Sequence, residues 1–420
     1  MAARHGRLGA LPVGPRLRRH ARRLRALLPL LVVALALPFL AGFREPGLLP
    51  GTGPGDVVVT AGDLARLRSQ PAPPAVTARA AIVWDAANGA ELYAKAPDER
   101  LPPASTAKML SALLVIESGR LGERVTVAAG DLSAPDESSM GLAAGDTVTR
   151  EDLLYGMLLV SGDDAARAAA RAIGTPLLAG APGDPVARFV QEMNARVARL
   201  GLPNTRFVNP DGSDAPGQYS SARDLLALAN EALKNPLFAQ IVGTRQATRA
   251  TVDGRKSFAM TNTNELLGQR PGVHGVKTGT TDAAGECLVA AQWTANGRIL
   301  SVVLGSEARY PDTTALLDYA NAAFRWVPVG RGAEPPGLAP ALARWGVGFR
   351  DRRVLVLPAW EAPALRYRLL LEPPGGGGPD PDARGKVVFL VGAREVLSLP
   401  VYAVDPNAPP PPGGVTPTRP

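Results

Sequence analysis

Pro102-Pro103-Ala104-Ser105-Thr106-Ala107-Lys108-Met109-Leu110 sets two prolines directly ahead of an apolar run. Proline has no N–H to give to a helix interior but is tolerated at its start. Met109, Leu110, Leu113, Leu114 and Ile116 then suit a buried helix beginning near Ser105. On such a helix Ser105 and Lys108 lie one turn apart on one face. A serine hydroxyl attacks only when a base takes its proton, and a lysine can be that base if burial or a second cation lowers its pKa. Taken alone, the pair is equally compatible with a surface serine and lysine on an ordinary helix.

Outward from this stretch, Ala80-Ala81-Ile82-Val83-Trp84 and Glu91-Leu92-Tyr93-Ala94 flank Asn88-Gly89, which predicts a hairpin. Downstream, Thr149-Arg150-Glu151-Asp152 has the form of a capping box ahead of Leu153 to Val160. Ser161-Gly162-Asp163 interrupts that run before a helical pattern from Ala165 to Ile173. Helices are expected from Phe189 to Leu200, with Gly201 as the stop, and from Leu225 to Leu233, with Ser221 and Asp224 as caps. Late in the domain, Glu286 to Thr294 and Arg298 to Gly305 read as strands joined at Asn296-Gly297, followed by a closing helix from Thr313 to Trp326. Strands at both ends of a helical middle give an α/β or α+β domain whose sheet is built from non-adjacent segments.

Three scarce-residue arguments narrow the chemistry. Beyond the first 43 residues His274 is the only histidine, so a zinc cluster or an H-E-x-x-H site cannot be assembled, and no cofactor or metal is expected. No G-x-S-x-G elbow is present. Only six of the 46 basic residues are lysine, and two of them are Lys108 and Lys277. Arginine cannot be deprotonated in a protein whereas a buried lysine can, so lysine suits a catalytic slot. Lys277-Thr278-Gly279 is expected just before the strand hairpin, its glycine allowing a substrate backbone close to a sheet edge.

Ser105/Lys108, Ser161/Asp163 and Lys277-Thr278-Gly279 occur in the order S-x-x-K, S-x-N-like, K-T-G that marks class A β-lactamases and penicillin-binding proteins. Over roughly Arg79 to Trp326 the chain resembles the low-molecular-mass penicillin-binding proteins of the D-alanyl-D-alanine carboxypeptidase type. Ser139-Met140-Gly141-Leu142, Phe207-Val208-Asn209-Pro210-Asp211-Gly212, Tyr219 to Asp224 and Arg309-Tyr310 extend the likeness. The resemblance implies a β-lactamase/transpeptidase-like catalytic domain over 77–328 and a small C-terminal all-β domain over 329–405. It implies acylation of Ser105 by the penultimate D-alanine of a peptidoglycan stem peptide, with β-lactam antibiotics as covalent inhibitors. Lys108 would be the base, Ser161 would pass a proton to the leaving amine, and Lys277 would be a nearby cation. The N–H groups of Ser105 and Thr280 would form the oxyanion hole, beside Gly279, and Thr278 and Arg309 would hold the substrate carboxylate. Asp163 stands where the family pattern has Asn, so a donor becomes an acceptor when ionised, and its charge would hold a proton on Lys108. The rival readings are a β-lactamase and an envelope protein that binds penicillin or peptide with little turnover.

The charge belongs to the leader. The formal +8 includes eight arginines within the first 25 residues; removing them from the 46 basic residues leaves 38, matching the 38 acidic ones. A nucleic-acid partner is therefore not expected. Those arginines precede an uncharged apolar run from Ala26 to Phe43, the form of a signal peptide or signal anchor over 1–43. This predicts export to the outer face of the membrane, the periplasm or the wall, with retention in the membrane if the segment is not cleaved. Residues 44–76 read as a linker with a short helix at Asp63 to Arg68. Beyond Pro328, Val354 to Leu357, Tyr367 to Leu371, Val387 to Val391 and Leu397 to Val404 read as strands, Gly375 to Gly378 as a loop, and 406–420 as a proline-rich tail. Cys287, the single cysteine, sits in an apolar run and reads as a buried inert thiol.

Overall fold

Residues 62, 65, 68–372 and 380–404 are described by the structure, a computed structural model. The basic leader, most of the linker, the loop at Gly375 to Gly378 and the proline tail lie outside the described residues.

The expected hairpin forms as strands β1 (Ala80–Asp85) and β2 (Ala90–Lys95). Its turn is held by Asp85, whose carboxylate accepts from the N–H groups of Ala87 and Asn88 and from Trp326 Nε1. A 3-10 turn, Ala104–Ala107, leads into α1 (Lys108–Glu117), so regular helix starts at the lysine and the serine sits in the tighter turn before it. Strands β3 (Arg124–Thr126) and β4 (Thr147–Thr149) pair, and Thr149 caps α2 (Arg150–Leu158) by accepting from Asp152 N, as the sequence predicts. Helices α3 (Asp163–Leu177), α4 (Pro185–Leu200), α5 (Ala222–Ala232) and α6 (Pro236–Val242) follow, α5 capped by Ser221. A hairpin of β5 (Gln246–Ala250) and β6 (Ser257–Thr261) precedes β7 (Val273–Thr281), β8 (Gly285–Thr294) and β9 (Gly297–Ser306). The chain continues through α7 (Arg309–Ala323), β10 (Phe324–Gly330), α8 (Leu338–Arg344), β11 (Val347–Gly348), β12 (Arg352–Pro358), β13 (Leu365–Leu371), β14 (Ala383–Val391) and β15 (Arg394–Ala403).

One antiparallel sheet in the order β2-β1-β9-β8-β7 unites strands from the two ends of the first domain. Alternation sorts its side chains between two cores. Ile82, Val289, Leu300 and Val302 join the helical layer of α1 to α6, whereas Val83, Leu288, Ile299 and Val303 meet Leu316, Leu317 and Ala320 of α7. Burial on both faces explains why β8 and β9 read as unbroken apolar runs. Helix α1 is buried almost all round, from Lys108 to Ile116. Truncating a core residue such as Leu110 would cost about 2–5 kcal/mol.

One boundary differs from expectation, and one strand was not foreseen. Lys277-Thr278-Gly279 lies ahead of the β8–β9 hairpin, as expected, and is itself part of a strand, β7: Lys277 is opposite Val289 and Thr278 opposite Leu288. Glycines at 275 and 279 mask the β-branched residues between them. The closing helix starts at Arg309 and ends at Ala323, because Phe324 turns extended and packs edge-on against Tyr319.

Of the described residues, 71–328 with 354–359 form one compact unit, and 329–353, 360–372 and 380–404, grouped with the few described before 71, form another. Within the second, the sheet order is β11-β15-β14-β13, with Val387, Phe389 and Val401 buried and Phe349 stacked on Phe389. It also carries α8, a seven-residue helix not foreseen among the proline-rich turns.

Candidate active site

Ser105 is presented by strained, tightly packed backbone. Ala104 before it has φ +47°, a left-handed conformation unusual for a residue with a Cβ. Two glycines abut this turn. A Cβ on Gly212 would lie 2.0 Å from the Ala104 carbonyl oxygen, and one on Gly279 would lie 2.9 Å from Ala104 Cβ and 3.0 Å from Ser105 N. The role of Gly279 therefore includes letting β7 approach the serine turn itself.

Lys108 is fully buried, and its Nζ meets three acceptors, as many as an ammonium has protons. They are Ser105 Oγ at 2.7 Å, Asp163 Oδ1 at 2.5 Å and the Asp211 carbonyl oxygen at 2.6 Å. Burial pushes the Asp163 carboxyl above the usual carboxylate range; the Lys108 charge and hydrogen bond oppose this, and the nearby Asp211 and Glu137 add to it. Arg167, on the next turn of α3, binds Asp211 Oδ2 at 2.8 Å and both oxygens of Glu137 at 2.8 Å. Its hydrogen bond holds the Glu137 carboxyl low.

Ser161 completes the cluster from the loop between α2 and α3. It too is left-handed, at φ +63°. The loop is fixed by Gly162 N on Gly156 O and Asp163 N on Ser138 O, both 2.9 Å. Lys277, on β7 and buried, donates to Ser161 Oγ at 2.9 Å and to Thr278 O at 2.8 Å. Burial first, then the Lys108 charge, pushes its amine well below the ordinary lysine range. Its two hydrogen bonds set the ammonium beside Ser161, the position of the nearby cation that the resemblance implies.

The opposite face of β7 carries the hydroxyls. Thr278 Oγ1 lies 2.6 Å from Thr263 Oγ1, and Tyr310 donates to the Thr263 carbonyl oxygen at 2.6 Å. Arg309 donates to Gly279 O at 2.9 Å, Cys287 O at 3.3 Å, Glu286 Oε1 at 3.1 Å and the Thr280 hydroxyl. It reaches the cleft through Thr280.

The structure thus brings Ser105, Lys108, Ser161, Asp163 and Lys277 into one cluster, with Thr278, Gly279, Thr280 and Arg309 on the adjoining strand. Sequence reasoning assigned no role to Asp211, Arg167, Glu137, Asp164 or Thr263. Asp164 is fully buried and accepts from Ser139 Oγ and the N–H groups of Met140, Gly141 and Leu142, pinning the 139–142 loop beside Ser161. The quoted stretches 139–142 and 207–212 were the available signal for Asp164 and Asp211; Thr263 had none. His274 stacks on Trp293 away from this cluster, and among the described residues no group of three metal-ligating side chains occurs.

Comparison with known proteins identifies the family. Residues 67–308 match the D-alanyl-D-alanine carboxypeptidase family. The chain is 34% identical over 261 residues to D-alanyl-D-alanine carboxypeptidase DacF of Bacillus subtilis, covering 60% of this chain and 64% of that protein. It is 35% identical over 261 residues to the D-alanyl-D-alanine carboxypeptidase of Streptomyces sp. strain K15, covering 59% and 89%. The crystal structure of the Streptomyces K15 DD-transpeptidase superimposes with a TM-score of 0.55 at 33% identity, over 60% of this chain and all of that one. DacD from Francisella tularensis, 24% identical, shares the fold with a TM-score of 0.62 over 80% of this chain and 95% of its own.

Proposed function

We propose, from the premise that this chain belongs to the D-alanyl-D-alanine carboxypeptidase family, that it removes the terminal D-alanine of peptidoglycan stem pentapeptides through an acyl-enzyme on Ser105. The observation that carries the reading is the double pairing of Lys108 with Ser105 at 2.7 Å and Lys277 with Ser161 at 2.9 Å, from three separate segments.

Lys108 Nζ takes the Ser105 proton as Oγ attacks the penultimate D-alanine carbonyl. For that step its lone pair must be free, so the proton that Asp163 helps to hold on it at 2.5 Å must leave before attack. The oxyanion is held by the N–H groups of Ser105 and Thr280, and the lack of a side chain at Gly279, whose Cβ would lie 3.0 Å from Ser105 N, lets β7 come close to the serine turn. Ser161 then gives its proton to the departing D-alanine amine and takes in return the one that Lys108 removed from Ser105, with Lys277 beside it at 2.9 Å, so that Lys108 is free again. Water, with Lys108 again as base, releases the shortened peptide. Thr278 and Thr280 bind the terminal carboxylate, and Arg309 supports it by holding the Thr280 hydroxyl.

β-Lactams would acylate the same hydroxyl, because the strained amide presents a carbonyl and a carboxylate at like spacing. Action on peptidoglycan puts the domain outside the cytoplasm, and the arginine-led apolar run at 26–43 supplies a means of export and of membrane attachment. No helix among the described residues is long and apolar enough to cross a membrane. Mass spectrometry after incubation with penicillin tests the nucleophile: one adduct is expected, on Ser105. Labelling that persists in Ser105→Ala would remove it.

A further inference from the structure

Lys108 is surrounded by carboxylates. Asp163 reaches its Nζ from α3, and Asp211, whose backbone carbonyl also accepts from Nζ, carries a side chain only 2% exposed. Glu137, from the loop ahead of Ser138, is the third acid. The Lys108 charge helps to draw its carboxyl down, and Glu137 and Asp211 both help to push the Asp163 carboxyl up, so these acids share one field with the base. Each anion favours a proton on Lys108, and a protonated Lys108 cannot take the one on Ser105. From β7 Lys277 faces the same cluster, with Arg309 acting on it in turn, but burial works against its charge.

Arg167 stands four residues after Asp163 on α3, one turn along the same face. Its guanidinium grips both oxygens of Glu137 at 2.8 Å and, through Nε, Asp211 Oδ2 at 2.8 Å; a further bond runs to Leu132 O at 3.1 Å. Asp211 Oδ1 accepts from Ser213 N at 2.9 Å and Ser213 Oγ at 2.7 Å. Both oxygens of Asp211 are thus tied, which fixes the residue whose carbonyl receives Lys108. One cation thereby offsets the two acids that Lys108 does not bind through their carboxylates.

We infer that Arg167 is a positioning residue for the general base: it screens Lys108 from Asp211 and Glu137 and so sets the pH at which Lys108 is free to activate Ser105. This rests on the proposed role of Lys108 and adds a residue to it that never touches substrate.

The test follows penicillin acylation of Ser105 against pH for the unsubstituted protein, Arg167→Gln, Arg167→Lys, Glu137→Gln and Arg167→Gln/Glu137→Gln, with circular dichroism confirming that each is folded. Arg167→Gln should move the half-rise up by about one pH unit. Glu137→Gln should move it down by less, because that side chain is 26% exposed. The double variant should return most of the way to the unsubstituted value, and Arg167→Lys, which keeps the charge but loses the fork, should stay near it. Damaged packing alone lowers the plateau and cannot produce shifts of opposite sign. A half-rise that is unmoved or lowered in Arg167→Gln would overturn the inference, as would an Arg167→Lys profile displaced as far as that of Arg167→Gln. Should Arg167→Gln fail to fold, Glu137→Gln decides: a downward shift sustains the screening and an unmoved half-rise overturns it. D-Alanine release is recorded separately, so that shifted acylation profiles without release would sustain the role of Arg167 and refute the carboxypeptidase reading alone, and release with unshifted profiles would do the reverse.

Discussion

Replacing Asp163 with Asn removes the anion from a pair whose side chains are 0% and 9% exposed and whose atoms are 2.5 Å apart. At an effective dielectric of about 20 the bare attraction is roughly 7 kcal/mol. Most of that is returned as the cost of burying the carboxylate, the same burial that pushes its pKa up. A charge-assisted hydrogen bond retains about 1.5–3 kcal/mol, which corresponds to one to two pH units at about 1.4 kcal/mol each. With the anion gone, less free energy holds the proton that blocks attack. Asp163→Asn should therefore raise the penicillin acylation rate at neutral pH and move its half-rise down by about one to two units. Stopped-flow acylation from about pH 5 to pH 10 reads this directly. Superimposable profiles would mean that Asp163 is already neutral and hydrogen-bonds as Asn would. A slower, unshifted profile would make the carboxyl an obligatory proton carrier. Either result refutes the reasoning.

Arg167→Gln takes the cation from between Glu137 and the 2%-exposed Asp211 carboxylate; denaturant titration should show a loss of about 2–3 kcal/mol, reduced from the fully buried range because Arg167 is itself partly exposed. The Glu137 carboxyl is depressed in the folded state, so its contribution is present above the unfolded value and lost as pH falls through the folded one. Arg167→Gln should remove that part of the acid sensitivity. Gly279→Ala, whose Cβ would press on Ala104 Cβ and Ser105 N, should slow acylation by about a hundredfold or more, comparable to losing an oxyanion donor; an unchanged rate would show that β7 yields freely. Cys287, fully buried and with its thiol pushed up to about 11, should resist thiol reagents at pH 8 until the protein is unfolded; native labelling would contradict its burial.

The central sheet was legible because two devices repeat. Asn88-Gly89 and Asn296-Gly297 mark hairpins, and apolar strand runs flank them. The α2 and α5 caps could be read from Thr149 and Ser221 because an N-cap bond spans only three residues. The candidate site was legible wherever chemistry uses a rare residue type, as at Lys108 and Lys277. It failed where position comes from the backbone. The left-handed Ala104 and Ser161, and the Asp211 carbonyl that accepts from Lys108, have no side-chain signature. Arg167, Glu137 and Thr263 were also missed, since ordinary surface-type residues acquire a role only when the fold closes the distance between segments 30, 44 and 15 residues apart.

Release of D-alanine from diacetyl-L-Lys-D-Ala-D-Ala, followed for the purified protein beside Ser105→Ala, bears most directly on the proposed activity. One D-alanine per peptide cleaved, over many turnovers and abolished by the substitution, is the expected outcome. Penicillin acylation of Ser105 without catalytic release of D-alanine would contradict it.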